Sequence, residues 1–147
     1  MGQIFKKSEL RRLEPSGIDA PIIVCNPTSN DIEKLNETGY TPFELNRFLA
    51  EKLAAIDQDD RPVKAESIAR ELLTANRTPL LLHRFEMLFD PRYKINLIKL
   101  FEIVAKQTSL AVIWPGSIKD QMLIYANPSY ADYHQYNICG YNVFCYQ

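Results

Sequence analysis

Two loops in this sequence stand where a nucleotide hydrolase would hold phosphate and metal. Residues 26–30 (NPTSN) follow a short run of β-branched residues, and His83-Arg84 ends a second apolar run. A phosphate-binding loop needs glycines, so that successive backbone N–H groups can surround the phosphates, followed by Lys and Ser or Thr. The second loop needs an acidic residue for Mg²⁺. Because neither requirement is met, the sequence predicts no nucleotide cofactor and no bound metal.

The remaining chemically active residues form no recognisable catalytic set. His83 and His134 are the only histidines, and no serine lies in a Gly-x-Ser-x-Gly elbow. The three cysteines include no Cys-x-x-Cys pair, which predicts neither a zinc site nor a disulfide framework. We therefore expect no catalytic residue. Residues 28–31 are expected to form a turn or to cap a short helix, and Arg84 and Glu86 to form a surface ion pair.

Aromatic side chains concentrate in the last quarter of the chain. Six tyrosines follow residue 120, and Trp114 precedes them. Such side chains stack on nucleic-acid bases or anchor protein interfaces. Lys119 is the one basic residue after Lys106, so a protein interface or a packed sheet edge is favoured over a nucleic-acid surface. The candidate interaction residues are Trp114, Tyr125, Tyr130, Tyr133 and Tyr136, together with Arg84 and Glu86.

Length and composition limit the class of protein. The chain has 147 residues, of which 46% are hydrophobic, and this suits one domain with its own core. Its 17 Lys and Arg residues balance 18 Asp and Glu residues, so no global field attracts nucleic acid or an anionic membrane. No apolar run approaches the roughly 20 residues that cross a bilayer, and residues 1–7 lack the features of a secretion signal. We expect a cytoplasmic protein with no membrane association.

Hydrophobic periodicity and turn residues predict the elements that carry these loops. A buried strand of about four residues lies between Pro21 and Pro27 and is followed by a loop over 27–40. Thr41 as N-cap, Pro42 and Glu44 predict the start of a helix that continues to Ile56. Further helices are predicted over 64–75 and 96–107, and further strands over 78–85, 110–114, 122–126 and 143–146. A short helix over 8–14 belongs to a peripheral segment, 1–17, and residues 128–147 form a tyrosine-rich tail.

The order of these elements predicts the fold class. Strand, helices, strand, helix and strand follow one another, and parallel neighbours need crossovers of about a dozen residues or more. We therefore expect a single α/β domain over 1–147, with a mostly parallel sheet flanked by helices in a three-layer, P-loop or Rossmann-like arrangement. The strands on either side of residues 117–120 predict an antiparallel C-terminal hairpin at the edge of that sheet.

Four segments resemble the BrxF family, which comprises small P-loop-like proteins of type 3 BREX phage-defence clusters. They are residues 80–91 (LLLHRFEMLFDP), 111–116 (AVIWPG), 123–128 (LIYANP) and Asp132-Tyr133. The similarity covers residues 78–136, with a weaker similarity at 43–53. The family's glycine-rich loop has no counterpart at residues 26–30, and its Walker B acid is matched by His83 or Arg84. The resemblance implies a degenerate relative that keeps the fold and the partner surface but has lost the ability to bind ATP.

Three functions are compatible with these observations. The first is a non-catalytic binding or scaffolding component of an antiviral defence complex, which docks through the region from Trp114 to Tyr136 onto a larger ATPase or methyltransferase. The second is a nucleotide-binding ATPase or GTPase subunit with an unconventional phosphate loop. The third is a weak nucleic-acid-binding accessory protein that uses Arg84, Arg92 and Lys94. The oligomeric state is left open.

Overall fold

The computed structural model describes residues 1–12 and 19–147 of the chain. Its strands are β1 (Gln3–Phe5), β2 (Ile22–Cys25), β3 (Thr41–Glu44), β4 (Leu80–His83), β5 (Leu110–Trp114), β6 (Ser117–Lys119), β7 (Met122–Tyr125), β8 (His134–Asn137) and β9 (Phe144–Tyr146). Its α-helices are α1 (Ser29–Glu37), α2 (Leu45–Ala54), α3 (Arg61–Thr74) and α4 (Leu97–Ala105).

Six strands form one parallel sheet in the order β1-β9-β2-β5-β4-β3. The predicted α/β class, with a parallel sheet flanked by helices, is confirmed. An antiparallel C-terminal hairpin also forms, as predicted, but from β6 and β7: residues 117–119, expected in the turn, form β6, whereas β5 pairs with β2 and β4 inside the parallel sheet. Strand β8 joins the hairpin in a separate three-stranded antiparallel sheet. The tyrosine-rich tail therefore contributes to both sheets, because it contains β8 and β9.

The parallel sheet separates two hydrophobic cores. Alternate side chains of a strand point to opposite faces, so Ile23 packs in the core shared with α2, α3 and α4, whereas Ile22 and Val24 pack with Leu35 of α1. All four residues of β2 are buried, as is typical of a parallel strand covered on both faces. Within the described residues, no helix has the length and apolar character needed to cross a membrane.

The N-terminal segment contributes to the sheet and to a core. Strand β1 pairs with β9, and Leu10 is fully buried in the core on the α1 face. In place of the predicted α-helix over 8–14, the described part of this segment forms a 3₁₀ helix over Lys7–Arg12. Residues 13 and 14 of that prediction lie outside the described residues.

The predicted helix start at Thr41 is wrong, because residues 41–44 form strand β3. The Thr41 N–H donates to the Pro79 carbonyl at 2.9 Å, and β3 pairs with β4 from Thr41↔Leu80 to Glu44↔His83. Helix α2 begins only at Leu45. Sheet pairing thus overrides a local capping signal, since ladder hydrogen bonds satisfy the backbone groups that the cap would have served.

The predicted loop over 27–40 is also wrong, because it contains helix α1. The helix sequence SNDIEKLNE has only two apolar residues, Ile32 and Leu35, so hydrophobic periodicity does not reveal it. Its start is nevertheless marked by Thr28, which was expected to lie in a turn or cap and which is the N-cap residue.

The open edge of the sheet at β3 carries a proline. Successive residues of a strand turn their backbone groups alternately to its two sides. Because the Thr41 N–H faces β4, Pro42 faces the open edge, where its ring nitrogen offers no hydrogen to another strand. Proline at such a position is a common protection of edge strands against pairing with a further chain.

Four of the described strands are directly followed by a residue with a left-handed backbone. These residues are Asn26 (φ 47°) after β2, Arg84 (φ 51°) after β4, Asp120 (φ 50°) after β6 and Ala126 (φ 65°) after β7. This conformation costs free energy for residues with a Cβ, and the cost is lower for Asn and Asp. The chain therefore turns sharply at these positions instead of extending its strands.

Replacing Ala126 by Gly is predicted to stabilise the protein. Ala126 is exposed, so the substitution removes the strain of its left-handed backbone without loss of packing, and the free energy of unfolding should rise by about 1 kcal/mol. The same replacement at the exposed residue Ala50 of α2 should lower it by about 1 kcal/mol. Urea unfolding of both variants measures the two effects, and a decrease in both would contradict the assignment at residue 126.

Candidate functional site

The carboxyl ends of the parallel strands meet at one edge of the sheet, which we call the carboxyl edge. Open α/β sheets bind ligands in the crevice outside this edge. Strands β2, β5 and β4 are consecutive in the sheet and end there with Cys25, Trp114 and His83. The two loops singled out in the sequence, at residues 26–30 and 83–84, therefore both lie at the carboxyl edge.

The N-terminus of α1 is closed by a reciprocal capping box. The Asp31 N–H donates to Thr28 Oγ1 at 3.1 Å, and the Thr28 N–H donates to Asp31 Oδ2 at 2.9 Å. The Asp31 side chain is buried, and its negative charge complements the positive end of the helix dipole. A carboxylate of the chain itself thus lies in the field that a bound phosphate would use, and it accepts a backbone hydrogen bond at this helix start.

A lysine from the N-terminal 3₁₀ helix secures this capping box. Lys7 Nζ donates to the Asn26 carbonyl at 2.8 Å and lies 4.0 Å from Asp31 Oδ2. Only residues 26–28 connect β2 to α1, so the loop is too short to surround a phosphate group. The nearest cation is therefore directed at an internal carboxylate and a carbonyl oxygen.

At the end of β4, polar side chains pair with residues of β3 and α2. Arg84 is exposed and lies 3.5 Å from Glu44, measured from Nη1 to Oε1. Glu86 accepts a hydrogen bond from Asn46 Nδ2 at 3.1 Å, and Asn46 Oδ1 accepts one from the Met87 N–H at 3.1 Å. The expected ion pair between Arg84 and Glu86 is therefore replaced by these contacts, of which the exposed Arg84–Glu44 pair contributes little to stability.

The small antiparallel sheet is joined to the end of β5 by a close backbone approach. Trp114 is 1% exposed, and its indole Nε1 donates to the Ile124 carbonyl at 3.0 Å. A Cβ atom at Gly116 would lie 1.8 Å from that same oxygen, so only glycine fits there. The two sheets are thereby held in contact next to the carboxyl edge.

Aromatic rings fill the space between the small sheet and the end of β4. Phe89 stacks on Tyr125 at 3.7 Å between ring centroids, and Trp114 packs edge-on against Phe89 at 5.5 Å. The backbone N–H of Leu97 donates to the Tyr136 hydroxyl at 3.2 Å, which ties β8 to the start of α4. The aromatic cluster consists of Phe85, Phe89, Trp114, Tyr125, His134 and Tyr136.

The candidate interaction residues divide into buried and exposed groups. Trp114 and Tyr136 are buried in the aromatic cluster, so they support the fold and are not available to a partner. Burial raises the pKa of Tyr136 to about 12. Tyr125 and Tyr133 are half-buried, and Tyr130 is 64% exposed. Of these five aromatic residues, Tyr130 therefore presents the most surface to the outside.

An acidic cleft of about 430 Å³ lies beside the aromatic cluster. Its lining includes Glu86, Asp90 and Asp132. Asp90 accepts hydrogen bonds from Arg92 Nη2 at 2.6 Å and from Arg92 Nε at 3.0 Å, and these lower the pKa of the Asp90 carboxyl. Among the described residues, no group of three or more His, Cys, Asp or Glu side chains is arranged to hold a metal ion.

Two of the three cysteines are buried and the third is exposed. Cys25 and Cys145 are buried in the core on the α2 face, and burial raises the pKa of Cys25 to about 11 and that of Cys145 to about 12. Cys139 is exposed and donates to Gln121 Oε1 at 2.7 Å. The buried thiols remain protonated at neutral pH and act as packing groups.

Sequence reasoning missed several residues that shape the carboxyl edge. The Thr-x-x-Asp pattern at residues 28–31 is a capping signal in the sequence, but the role of Lys7 depends on a contact 24 residues away that no local pattern indicates. The contacts of Asn46 and Phe89 also join segments that are distant in sequence, so no local pattern indicates them.

Searches against protein-family models, curated proteins and solved structures found no match for this chain.

Replacing Gly116 by Ala tests the junction between the two sheets. The added Cβ would overlap the Ile124 carbonyl oxygen, so the backbone must shift and break the hydrogen bond from Trp114 Nε1. We expect the free energy of unfolding to fall by at least about 2 kcal/mol, as measured by urea unfolding followed through Trp114 fluorescence.

The matched control is Gly140→Ala. A Cβ atom at residue 140 meets nothing within 4 Å, so this variant should unfold within about 0.5 kcal/mol of the wild type. Equal effects of the two substitutions would show that the sheets do not meet closely at Gly116.

Proposed function

We propose that this chain is a non-catalytic binding or scaffolding component of a bacterial phage-defence complex of the BREX kind. The observation that carries the proposal is the capping box at the carboxyl edge. Thr28 and Asp31 accept one another's backbone hydrogen bonds at the start of α1, and Lys7 lies 4.0 Å from the Asp31 carboxylate. An anionic phosphate placed there would be repelled by a buried negative charge.

A second feature favours binding over catalysis at the ends of β4 and β5. The crevice in which a parallel sheet would admit a substrate is occupied by the aromatic cluster, and Trp114 at its centre is fully packed. The resemblance to the BrxF family rests on the segments that build this region, residues 80–91, 111–116 and 123–128. Because these segments support the small antiparallel sheet, a relative that keeps them also keeps the shape of the outer surface of that sheet.

The proposed partner is a larger ATPase or methyltransferase of the same defence complex, in the cytoplasm. It would contact the outer surface of the small antiparallel sheet and the adjoining end of β4. Groups there include the exposed Tyr130 and Arg84 and the half-buried Tyr133 and Glu86, which offer an aromatic anchor with charged neighbours. The nucleic-acid alternative is weaker, because Arg84 and Arg92 are both paired with carboxylates of the chain.

Affinity purification of the tagged chain from its native host tests this proposal. We expect proteins of the defence cluster to be recovered with the wild type. Tyr130→Ala should reduce their recovery strongly, because truncation of an aromatic anchor costs about 2 kcal/mol, or roughly 30-fold in affinity. Recovery is measured by quantitative mass spectrometry.

Val63→Ala provides the control for that experiment. Val63 is 84% exposed but lies in the first turn of α3, away from the proposed surface, so this variant should recover the partner as the wild type does. If no defence-cluster protein is recovered with the wild type, the proposal is contradicted. If Tyr130→Ala recovers as much partner as the wild type, the proposed surface is contradicted.

A further inference from the structure

An apolar groove runs along the open edge of β3. A cavity of about 460 Å³ is lined by all four residues of β3 and by Phe48, Leu72 and Ala75. A second cavity of about 260 Å³ shares Leu72 and Ala75 with the first and continues between α2 and α3. We call these two cavities together the edge groove. Its apolar members are Pro42, Phe43, Phe48, Ile68, Leu72, Ala75 and Leu80.

A protruding ring stands beside this groove. Phe48 is 43% exposed although it belongs to the apolar stripe of α2, and it packs edge-on against Phe43 at 5.4 Å between ring centroids. The ring and the groove together form a contiguous apolar patch, which is a feature of interaction surfaces. In a two-fold interface, both copies use the same surface, so that surface must be complementary to itself. A surface with both a projection and a cavity meets this condition, because the projection of each copy can enter the cavity of the other.

The backbone at this edge does not favour an added strand. Pro42 faces outward and carries no N–H, so a peptide aligned along β3 would lose one of its ladder hydrogen bonds. The occupant of the edge groove is therefore recognised by side-chain packing.

The charges at the edge groove are self-complementary. Lys52 and Glu71 both line the smaller cavity, and both are exposed. Neither forms an ion pair with another residue in the part of the chain that the structure describes. In a two-fold interface, a residue i that contacts j of the other copy implies that j contacts i. One free cation and one free anion on the same rim can thus form two reciprocal ion pairs.

We infer that the edge groove is the interface with a second copy of this chain. In the resulting two-fold dimer, Phe48 of each copy enters the edge groove of the other, and Lys52 of each copy faces the partner's Glu71. This interface lies on β3, α2 and α3 and adjoins the proposed partner surface at the Arg84–Glu44 pair. Tyr130 does not line the edge groove, so a dimer would present two copies of the surface around it. The inference goes beyond the proposed function and does not depend on it.

Sedimentation-velocity centrifugation over a range of protein concentrations tests the dimer. The wild type should sediment as a concentration-dependent dimer. Phe48→Asp should sediment as a monomer with an unchanged circular dichroism spectrum, because a buried charge would replace the inserted ring. The control Val63→Asp, at an apolar position that is also exposed but does not line the groove, should remain a dimer. A wild type that is monomeric at every attainable concentration would overturn the inference, as would a dimer that survives Phe48→Asp.

Charge reversal tests the arrangement of the two copies without altering the apolar groove. Lys52→Glu and Glu71→Lys should each weaken the dimer by about tenfold, because each places like charges opposite one another. The double variant Lys52→Glu/Glu71→Lys restores opposite charges in reversed order, so its dimer should return towards the wild-type affinity. A double variant that dimerises no better than the weaker single variant would overturn the pairing of Lys52 with the partner's Glu71.

Discussion

The structure depends on one constraint, which is that a parallel sheet brings all of its strand ends and the following helix starts to a single edge. Backbone groups at that edge leave the sheet ladder and need other partners. In many α/β proteins a ligand supplies some of them. In this chain, side chains supply some of them: Thr28 and Asp31 at the start of α1, and Asn96 at the start of α4.

These internal partners connect the fold to the proposed function. Because Asp31 is buried at the positive end of α1 and is held by Lys7, the position of a phosphate is taken by a fixed negative charge. Because the small sheet covers the end of β5, the neighbouring crevice is filled by rings. At this edge, the surface that we propose for recognition is the outside of that small sheet. In the proposed function, the chain presents this surface to its partner.

Much of the fold could be predicted from the sequence, where local pattern and tertiary packing agree. Strand β5 matches its predicted bounds, since Leu110–Trp114 is an apolar run that ends at a proline and a glycine. Helix α4 has both the Asn96 cap and a continuous apolar face. Strand β3 could not be predicted, because its capping signal is genuine locally and is overridden by pairing with β4. The candidate site shows the same division: Thr28 was recognisable as a cap, but Lys7 and the ring partners of Trp114 come from distant segments.

Isothermal titration calorimetry with ATP, ADP and GTP in the presence of Mg²⁺ tests the central claim most directly. The claim is that the carboxyl edge is satisfied by the chain's own groups and holds no phosphate. With Asp31 and Thr28 bonded to each other, titration to millimolar nucleotide should give only the heat of dilution. A saturable heat that is lost in a Thr28→Ala variant would place a nucleotide at the start of α1 and would contradict the account.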